Sequence, residues 1–457
     1  MVTQHFRQET CIECTAAAAY DWHCRPGAFA RLQPPWEDVE LPEGHPGVSE
    51  KSRVKVRAKM GPFVSEWLVE HRDVMPGRQF RDVMLKGPFA MWVHTHRFVP
   101  QGDHACLLSD EIEFRLPLGW LGRFVAGRYV KNKLRRMFRY RHAITKSDLE
   151  RGKSQDSIRP LRILISGASG LIGSALVPYL QTRGHTVLRL VRRKIKNQEE
   201  IFWRPETGEL ECDSLGQIDA VVHLAGANVA AGRWTAARRR GILESRVQST
   251  RTLVSALGKQ THRPSVFVAA SAVGYYGDST GEFTEKDPVG EGYLAGVSGA
   301  WEQESDQALA LGIRVVKLRI GVVLATAGGA LAKMLPVFRA GLGGRLGSGQ
   351  QVMSWIALED LLSVIEASIT DQRMVGAINA VSPETVTNVV FTKALGEVLN
   401  RPTFMPVPKF LLRLIFGQMA DETLLASTHA VPRRLTEVNF SFRLPEIKTA
   451  LRETLGR

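Results

Sequence analysis

A short apolar run, Leu161 to Ser166, leads directly into Gly167-Ala168-Ser169-Gly170-Leu171-Ile172-Gly173, and a helical pattern continues to Arg183. Three glycines at this spacing on a strand-to-helix turn restrict the fold severely. The first permits the tight turn, the second lets a pyrophosphate approach the backbone, and the third allows helix and strand to pack closely. The new helix then turns its free N–H groups toward the phosphates. Gly184 closes the helix as a C-cap, and Thr186 to Val191 is a second strand, so the segment begins a β-α-β unit. A glycine-rich turn that holds no ligand is the bland alternative, and the surrounding β-α-β pattern weighs against it.

Alternation continues, with strands expected at Ala220 to Leu224, Ser265 to Ala270 and Ile313 to Leu318 and helices at Ala236 to Leu257 and Leu294 to Leu311. The fold class is therefore α/β, a Rossmann doubly wound parallel sheet. At the end of the second strand an acidic residue would bond the ribose 2′-OH of NAD, whereas arginine accommodates the 2′-phosphate of NADP. The chain has Val191-Arg192-Arg193-Lys194 with no carboxylate in that local run, which favours NADP. Three surface cations after a strand are the alternative.

Upstream, Thr145 to Arg159 is polar and almost free of large apolar residues, and a domain boundary is placed there. Before it, Ser52 to Lys59, Phe89 to Val99 and Leu107 to Phe114 alternate as half-buried strands do, and Gly119 to Tyr140 is an amphipathic helix. With 457 residues, two domains are expected. The net charge of +14 raises the question of nucleic acid. Lys+Arg against Asp+Glu is 25 against 19 through residue 157 and 35 against 27 beyond it, so the excess of +6 and +8 is spread along the chain. The local run Lys131, Lys133, Arg135, Arg136, Arg139 and Arg141 interleaves with Val130, Leu134, Met137 and Phe138, the pattern of a helix with a solvated face. Nucleic acid or an anionic membrane is the minor alternative.

Neither a secretory signal nor a membrane span is read, and a cytoplasmic setting is expected. Cys11, Cys14, Cys24, Cys106 and Cys212 are too few and too scattered for a disulfide framework. The Cys11/Cys14 pair, even with His23 and Cys24 nearby, does not assemble four zinc ligands. His94 and His96 share one strand face and, without a third ligand in view, read as surface or pocket-lining; no metal is expected. Trp22, Trp36, Trp67 and Trp92 read as core.

The Gly167 to Gly173 turn, Asp219 to Gly226, Ser271-Ala272-Val273-Gly274-Tyr275-Tyr276-Gly277 and Arg319 to Leu324 resemble the extended short-chain dehydrogenase/reductases. Arg233-Trp234-Thr235 with Ser245-Arg246, Lys333 to Pro336 with Gly341 to Gly344, and Gly347-Ser348-Gly349 leading to Ser354-Trp355-Ile356 resemble the atypical subgroup called epimerase family proteins. The resemblance runs from Leu161 to the C-terminus and includes a C-terminal substrate module. Residues 1–150 resemble the START-like helix-grip domains related to polyketide cyclases, an α+β fold with an apolar cavity. The organisation implied is thus a helix-grip domain at 1–150, a linker at 151–160, an NADP-binding domain at 161–400 and the C-terminal module at 401–457.

By resemblance, Gly167, Ser169, Gly170, Leu171, Ile172 and Gly173 hold the pyrophosphate and Arg192 the 2′-phosphate. Leu224, Ala225 and Gly226 line the adenine and ribose, and Arg246 lies beneath the cofactor; a solvated cation on its helix is the other reading of Arg246. Ala357 stands where the subgroup has histidine, so no role is assigned to an imidazole there. Related enzymes carry tyrosine followed four residues later by lysine. Tyr293 is in the right region, but the fourth residue on is Val297, and Ala272 occupies the usual serine position with Ser271 one place earlier. Tyr293 and Ser271 are the catalytic candidates. A tyrosine near its reference pKa is only about 0.1% ionised at pH 7, so hydride chemistry is expected to be slow. The reading is an NADP-dependent oxidoreductase or epimerase-like enzyme with a small hydrophobic substrate, which the N-terminal domain binds or delivers. A non-catalytic protein that senses NADP and a second ligand is the alternative.

Overall fold

The computed structural model describes residues 3–37, 39–40, 47–60, 63–117, 119–152, 159–211 and 215–457. They form two compact units, the first comprising residues up to Arg159 with Pro178–Gly184 and Gly456, the second the rest from Pro160.

In the first unit β1 (Gln4–Ile12), β2 (Val39–Glu40), β3 (Arg53–Met60), β4 (Phe63–Met75), β5 (Gln79–Lys86), β6 (Met91–Pro100) and β7 (Cys106–Arg115) make one sheet. Its order is β1-β7-β6-β5-β4-β3-β2, and every pairing is antiparallel. Helices α1 (Ala16–Cys24) and α2 (Ala28–Arg31) follow β1, and α3 (Gly119–Gly152) follows β7. Alternation along β7 buries Leu108, Ile112 and Phe114, and Leu134 and Phe138 of α3 pack with Trp92, Ile112 and Phe114. The opposite side of α3 leaves Lys131, Arg135 and Arg139 exposed.

Two expectations need correction here. The polar stretch from Thr145 continues α3 to Gly152, past the expected helix end at Tyr140 and into the first two residues of the expected linker at 151–160, while the two units divide at Arg159 and Pro160. Two of its polar residues are interior: Thr145 is fully buried, and Asp148 receives Arg31 Nε at 3.0 Å and Nη2 at 2.9 Å with both side chains out of solvent. Residues 153–158 lie outside the described residues. Nor are His94 and His96 surface or pocket-lining groups; at 4% and 7% exposure they are buried with Asp82, Asp110 and His142. Alternation places them on the same face of β6 as Trp92 and Phe98, which α1 and α3 cover. Cys11, Cys14, Cys24 and Cys106 are free thiols, and Cys212 lies outside the described residues.

In the second unit β8 (Arg162–Ser166), α4 (Leu171–Thr182), β9 (Thr186–Val191), β10 (Glu200–Arg204), β11 (Glu209–Leu210), β12 (Ala220–His223), α5 (Ala236–Gly258) and β13 (Val266–Ala272) come first. They are followed by β14 (Glu282–Phe283), α6 (Tyr293–Asp306), β15 (Arg314–Ile320), β16 (Val322–Leu324), α7 (Gly329–Arg339), β17 (Val352–Met353), β18 (Trp355–Ala357), α8 (Leu358–Thr370) and β19 (Gly376–Ala380). The chain ends with β20 (Val386–Thr387), α9 (Asn388–Leu399), α10 (Lys409–Phe416), β21 (His429–Ala430), α11 (Arg433–Glu437) and α12 (Ile447–Leu455). The main sheet runs β11-β10-β9-β8-β12-β13-β15-β19, parallel except for the β10–β11 hairpin. Ile163, Leu164, Ile165, Val221, Val222, Phe267 and Val268 are fully buried, as strands covered on both faces must be. Strand order reverses between β8 and β12, which opens a crevice at their carboxyl ends. The final segment is knitted into this unit through Leu444, Ile447, Leu451 and Leu455, which pack against Leu335, Phe391 and Leu395. Among the described residues no helix is long and apolar enough to cross a membrane.

Candidate functional site

At the carboxyl end of β8 the chain turns at Gly167, whose φ of +74° belongs to the left-handed region that glycine tolerates. A Cβ there would stand 2.8 Å from the Leu224 carbonyl carbon and 2.9 Å from Ala225 N. A Cβ on Gly173 would collide with the Gly167 carbonyl oxygen and lie 2.7 Å from Ala168 Cα. Gly170 N donates to Gly167 O at 2.9 Å, and α4 starts at Leu171 with first-turn N–H groups that no helical carbonyl can satisfy. Ser169 and Gly170 are exposed, so the turn presents backbone outward. These residues form a cradle whose walls would be filled by any side chain, and they fit a dinucleotide pyrophosphate.

The opposite wall is held by buried polar groups, of which the sequence reading singled out Arg246 but gave no role to His223, Ser166 or Thr250. His223, fully buried at the end of β12, bonds Ser166 Oγ at 2.6 Å and Thr250 Oγ1 at 3.0 Å, while Ser166 Oγ accepts from Ala225 N at 3.3 Å. Burial, with Arg246 nearby, lowers the His223 pKa to about 3, so the imidazole stays neutral. The Ser245-Arg246 pair grips one residue from both sides: Ser245 Oγ accepts from Ala227 N at 3.0 Å, and Arg246 Nη1 donates to Ala227 O at 3.1 Å. Arg246 also donates to Ile242 O at 2.9 Å and lies over the Trp301 ring at 5.0 Å. Among the described residues no carboxylate pairs with it, and burial lowers its pKa to about 10.

At the end of β9 the sequence showed no carboxylate, yet the fold delivers two from later in the chain. Arg193 binds Glu200 of β10 in bidentate fashion, at 2.9 and 2.6 Å, and Glu200 also accepts Lys196 N. That carboxylate is thereby committed. Arg192 is 71% exposed and, among the described residues, meets Glu206, itself exposed, at 3.5 Å.

The two catalytic candidates are not brought together by any mutual contact. Tyr293 opens α6, donates to the Arg239 carbonyl at 2.6 Å and stands edge-on to Trp234 at 5.0 Å. Burial raises its pKa, against the pull of Arg246 and Arg239. Ser271 donates to Glu302 at 2.7 Å in a buried set in which Arg319 grips the same carboxylate at 2.9 and 3.0 Å. Arg319 Nη1 also donates to the Tyr276 hydroxyl at 2.9 Å, which lies 2.7 Å from Asn379 Oδ1. Val297 is buried where the related enzymes have lysine, and Ala357 belongs to the core cluster with Leu324, Leu335 and Trp355. The C-terminal segment supplies a group no motif announced: Glu422 Oε2 accepts Leu294 N at 2.8 Å and so caps the helix that carries Tyr293. Gln418 bonds both Glu422, at 2.7 Å, and Arg239, at 3.0 Å. Only the three-dimensional fold joins residues so far apart in sequence.

A profile of the NAD dependent epimerase/dehydratase family matches residues 163–380, and a domain of unknown function (DUF1731) matches residues 407–454. The epimerase family protein Mb2239 of Mycobacterium bovis is 43% identical over 290 residues, which are 63% of this chain and 96% of that protein. The epimerase family protein SDR39U1 of Bos taurus is 35% identical over 65% of this chain and all of its own length. Among solved structures, a nucleoside-diphosphate sugar epimerase from Corynebacterium glutamicum aligns over 99% of this chain and 90% of its own, with a TM-score of 0.81 and 31% identity. Human SDR39U1, solved with NADPH, aligns over 64% of this chain and 99% of its own, with a TM-score of 0.59 and 32% identity.

Proposed function

Because the chain belongs to the epimerase family of NAD-dependent epimerase/dehydratase proteins, we propose that its second unit is an NADP-binding oxidoreductase or epimerase-like enzyme acting on a small hydrophobic substrate. The observation that carries the cofactor preference is the division of labour at the end of β9: Arg193 is locked to Glu200, whereas Arg192 stays exposed and free to meet a 2′-phosphate. Gly167 to Gly173 take the pyrophosphate, and Leu224, Ala225 and Gly226, fixed by Ser166, Ser245 and Arg246, take the adenine and ribose side. The NADPH in the human relative supports the same preference. A bound nicotinamide supplies or accepts a hydride. Tyr293 holds the proton to be exchanged with substrate, and Glu422 and Trp234 position its ring. Phe410 and Leu414 of α10 are exposed, and a Cβ added at Gly417, at the helix end, would stand 3.5 Å from Arg233 Nη2, so the helix offers an apolar rim to the substrate. The first unit is read as a helix-grip domain that takes up a small apolar ligand and passes it on.

Isothermal titration tests the cofactor assignment. Arg192→Ala is expected to weaken NADPH roughly tenfold to a hundredfold, the worth of a charge-assisted hydrogen bond, and to leave NADH almost unchanged. Equal losses for the two cofactors remove Arg192 from the site. A second reading, a non-catalytic NADP sensor, is favoured by one observation: the Tyr293 hydroxyl is spent on a backbone carbonyl, and no lysine stands at position 297. Ketones and sugar nucleotides supplied with NADPH distinguish the two. Turnover that Tyr293→Phe abolishes supports the enzyme, and tight NADPH binding without any turnover supports the sensor.

A further inference from the structure

The first unit contains a set of ligating side chains unlike anything its apolar core requires. His71 comes from β4, Asp82 from β5, His94 and His96 from β6, Asp110 from β7 and His142 from α3. Five of the six are at most 7% exposed, and Asp82, with 23% of its side chain exposed, is the route to solvent.

Hydrogen positions follow from the carboxylates. Asp110 Oδ1 accepts a hydrogen bond from His94 Nε2 at 2.8 Å, since an ionised carboxylate only accepts, and lies 2.6 Å from His96 Nδ1 as an ion-pair contact. His96 Nε2 in turn donates to the Asp82 carboxylate, so an ion would take the place of that hydrogen; the nitrogens turned away from Asp110 are His94 Nδ1 and His96 Nε2. These face one atom, Asp82 Oδ2, at 3.9 and 3.4 Å. One ligand atom from each of Asp82, His94 and His96 falls within 4.8 Å of the others. Metal–ligand bonds of about 2.0–2.2 Å put neighbouring corners of a tetrahedron about 3.4 Å apart, so the spacing needs little closure.

The outer layer is also in place. One oxygen of Asp110 orients both histidines, and the other is fixed by His142 Nε2 at 2.7 Å, whose Nδ1 meets Thr10 Oγ1 at 2.9 Å. His71 Nδ1 holds the second Asp82 oxygen at 2.7 Å. Carboxylates behind histidines and hydrogen bonds behind a carboxylate are what fix tautomer and aim in metal centres.

We propose that Asp82, His94 and His96 bind a divalent transition-metal ion of the zinc or ferrous class, with Asp110, His71 and His142 as the positioning groups behind them. Two imidazoles and one carboxylate suit those ions, and three protein ligands leave a coordination position for water or a small oxygen-bearing molecule. The ion site is separate from the dinucleotide site, because all of its residues belong to the first unit.

The test uses the full chain, stripped with chelator and titrated with Co2+ as a spectroscopic probe. The expected result is one tightly held ion per chain, with visible absorption bands and a raised melting temperature. His96→Gln is expected to abolish all three. Asp110→Asn keeps every ligand and is expected to weaken binding about 10–100-fold, which makes it the informative variant should His96→Gln not fold. NADPH affinity, measured on the same samples, is expected to stay unchanged. A stripped wild type that takes up no Co2+, or one whose uptake is the same in His96→Gln or Asp110→Asn, overturns the assignment.

Discussion

Gly173 cannot gain a single carbon without moving backbone, since the Gly167 carbonyl occupies the place of its Cβ and neither partner is a flexible side chain. Gly173→Ala is therefore expected to lower stability by about 1–3 kcal/mol, as overpacking does, and to spoil the cradle for pyrophosphate. Thermal melts and NADPH titration check both effects, with exposed Ser174→Ala as the control. His223 makes a second prediction at this scale. Its pKa falls from 6.5 to about 3 on folding, chiefly through burial, so the unfolded chain takes up the proton first as pH drops. Stability is then intact above about pH 6.5 and is lost progressively toward pH 3. His223→Gln should flatten that part of the stability curve measured by denaturant titration, although it weakens the fold at neutral pH. A slope as steep as in the wild type would place the acid sensitivity elsewhere.

Local elements were legible where one segment decides its own structure. The apolar run, glycine turn and helix from Leu161 to Arg183 hold as β8, the cradle and α4 because each step follows from the residues themselves. The end of α3 was read short, at Tyr140, because polarity was taken for a domain boundary, and only the distant Arg31 reveals that Asp148 is interior. Glu200 and the rest of the six-residue cluster escaped notice, although His94 and His96 were placed on one strand face, because their partners are brought in by strand pairing and by α3. The Arg31–Asp148 pair yields a prediction for the element. Arg31→Met leaves a carboxylate buried without its cation and is expected to cost about 3–5 kcal/mol, whereas replacing both residues by apolar ones of similar volume should recover most of the loss. Urea denaturation of the single and double variants measures the difference.

For the whole chain, the mammalian and mycobacterial relatives are matched over 94–100% of their length by less than two thirds of this one. Residues 160–457 expressed alone are accordingly expected to fold and to retain NADPH, and a fragment covering 1–152 is expected to fold while one stopped at 144 is not, since only the longer keeps Asp148. Circular dichroism and titration of the fragments check this. The sheets carry one more implication, for how the protein behaves when crowded. At one side each ends on a two-residue strand, β2 and β11, too short to template the backbone of a neighbour. The nine-residue β1 is the long border of the first sheet, and its outward positions carry charges such as Arg7, paired with Glu9 and Glu111. Those charges act as gatekeepers against strand-to-strand aggregation, so replacing Arg7 and Glu9 with valine should lower the temperature at which the protein scatters light, with little change in the melting of the sheet itself.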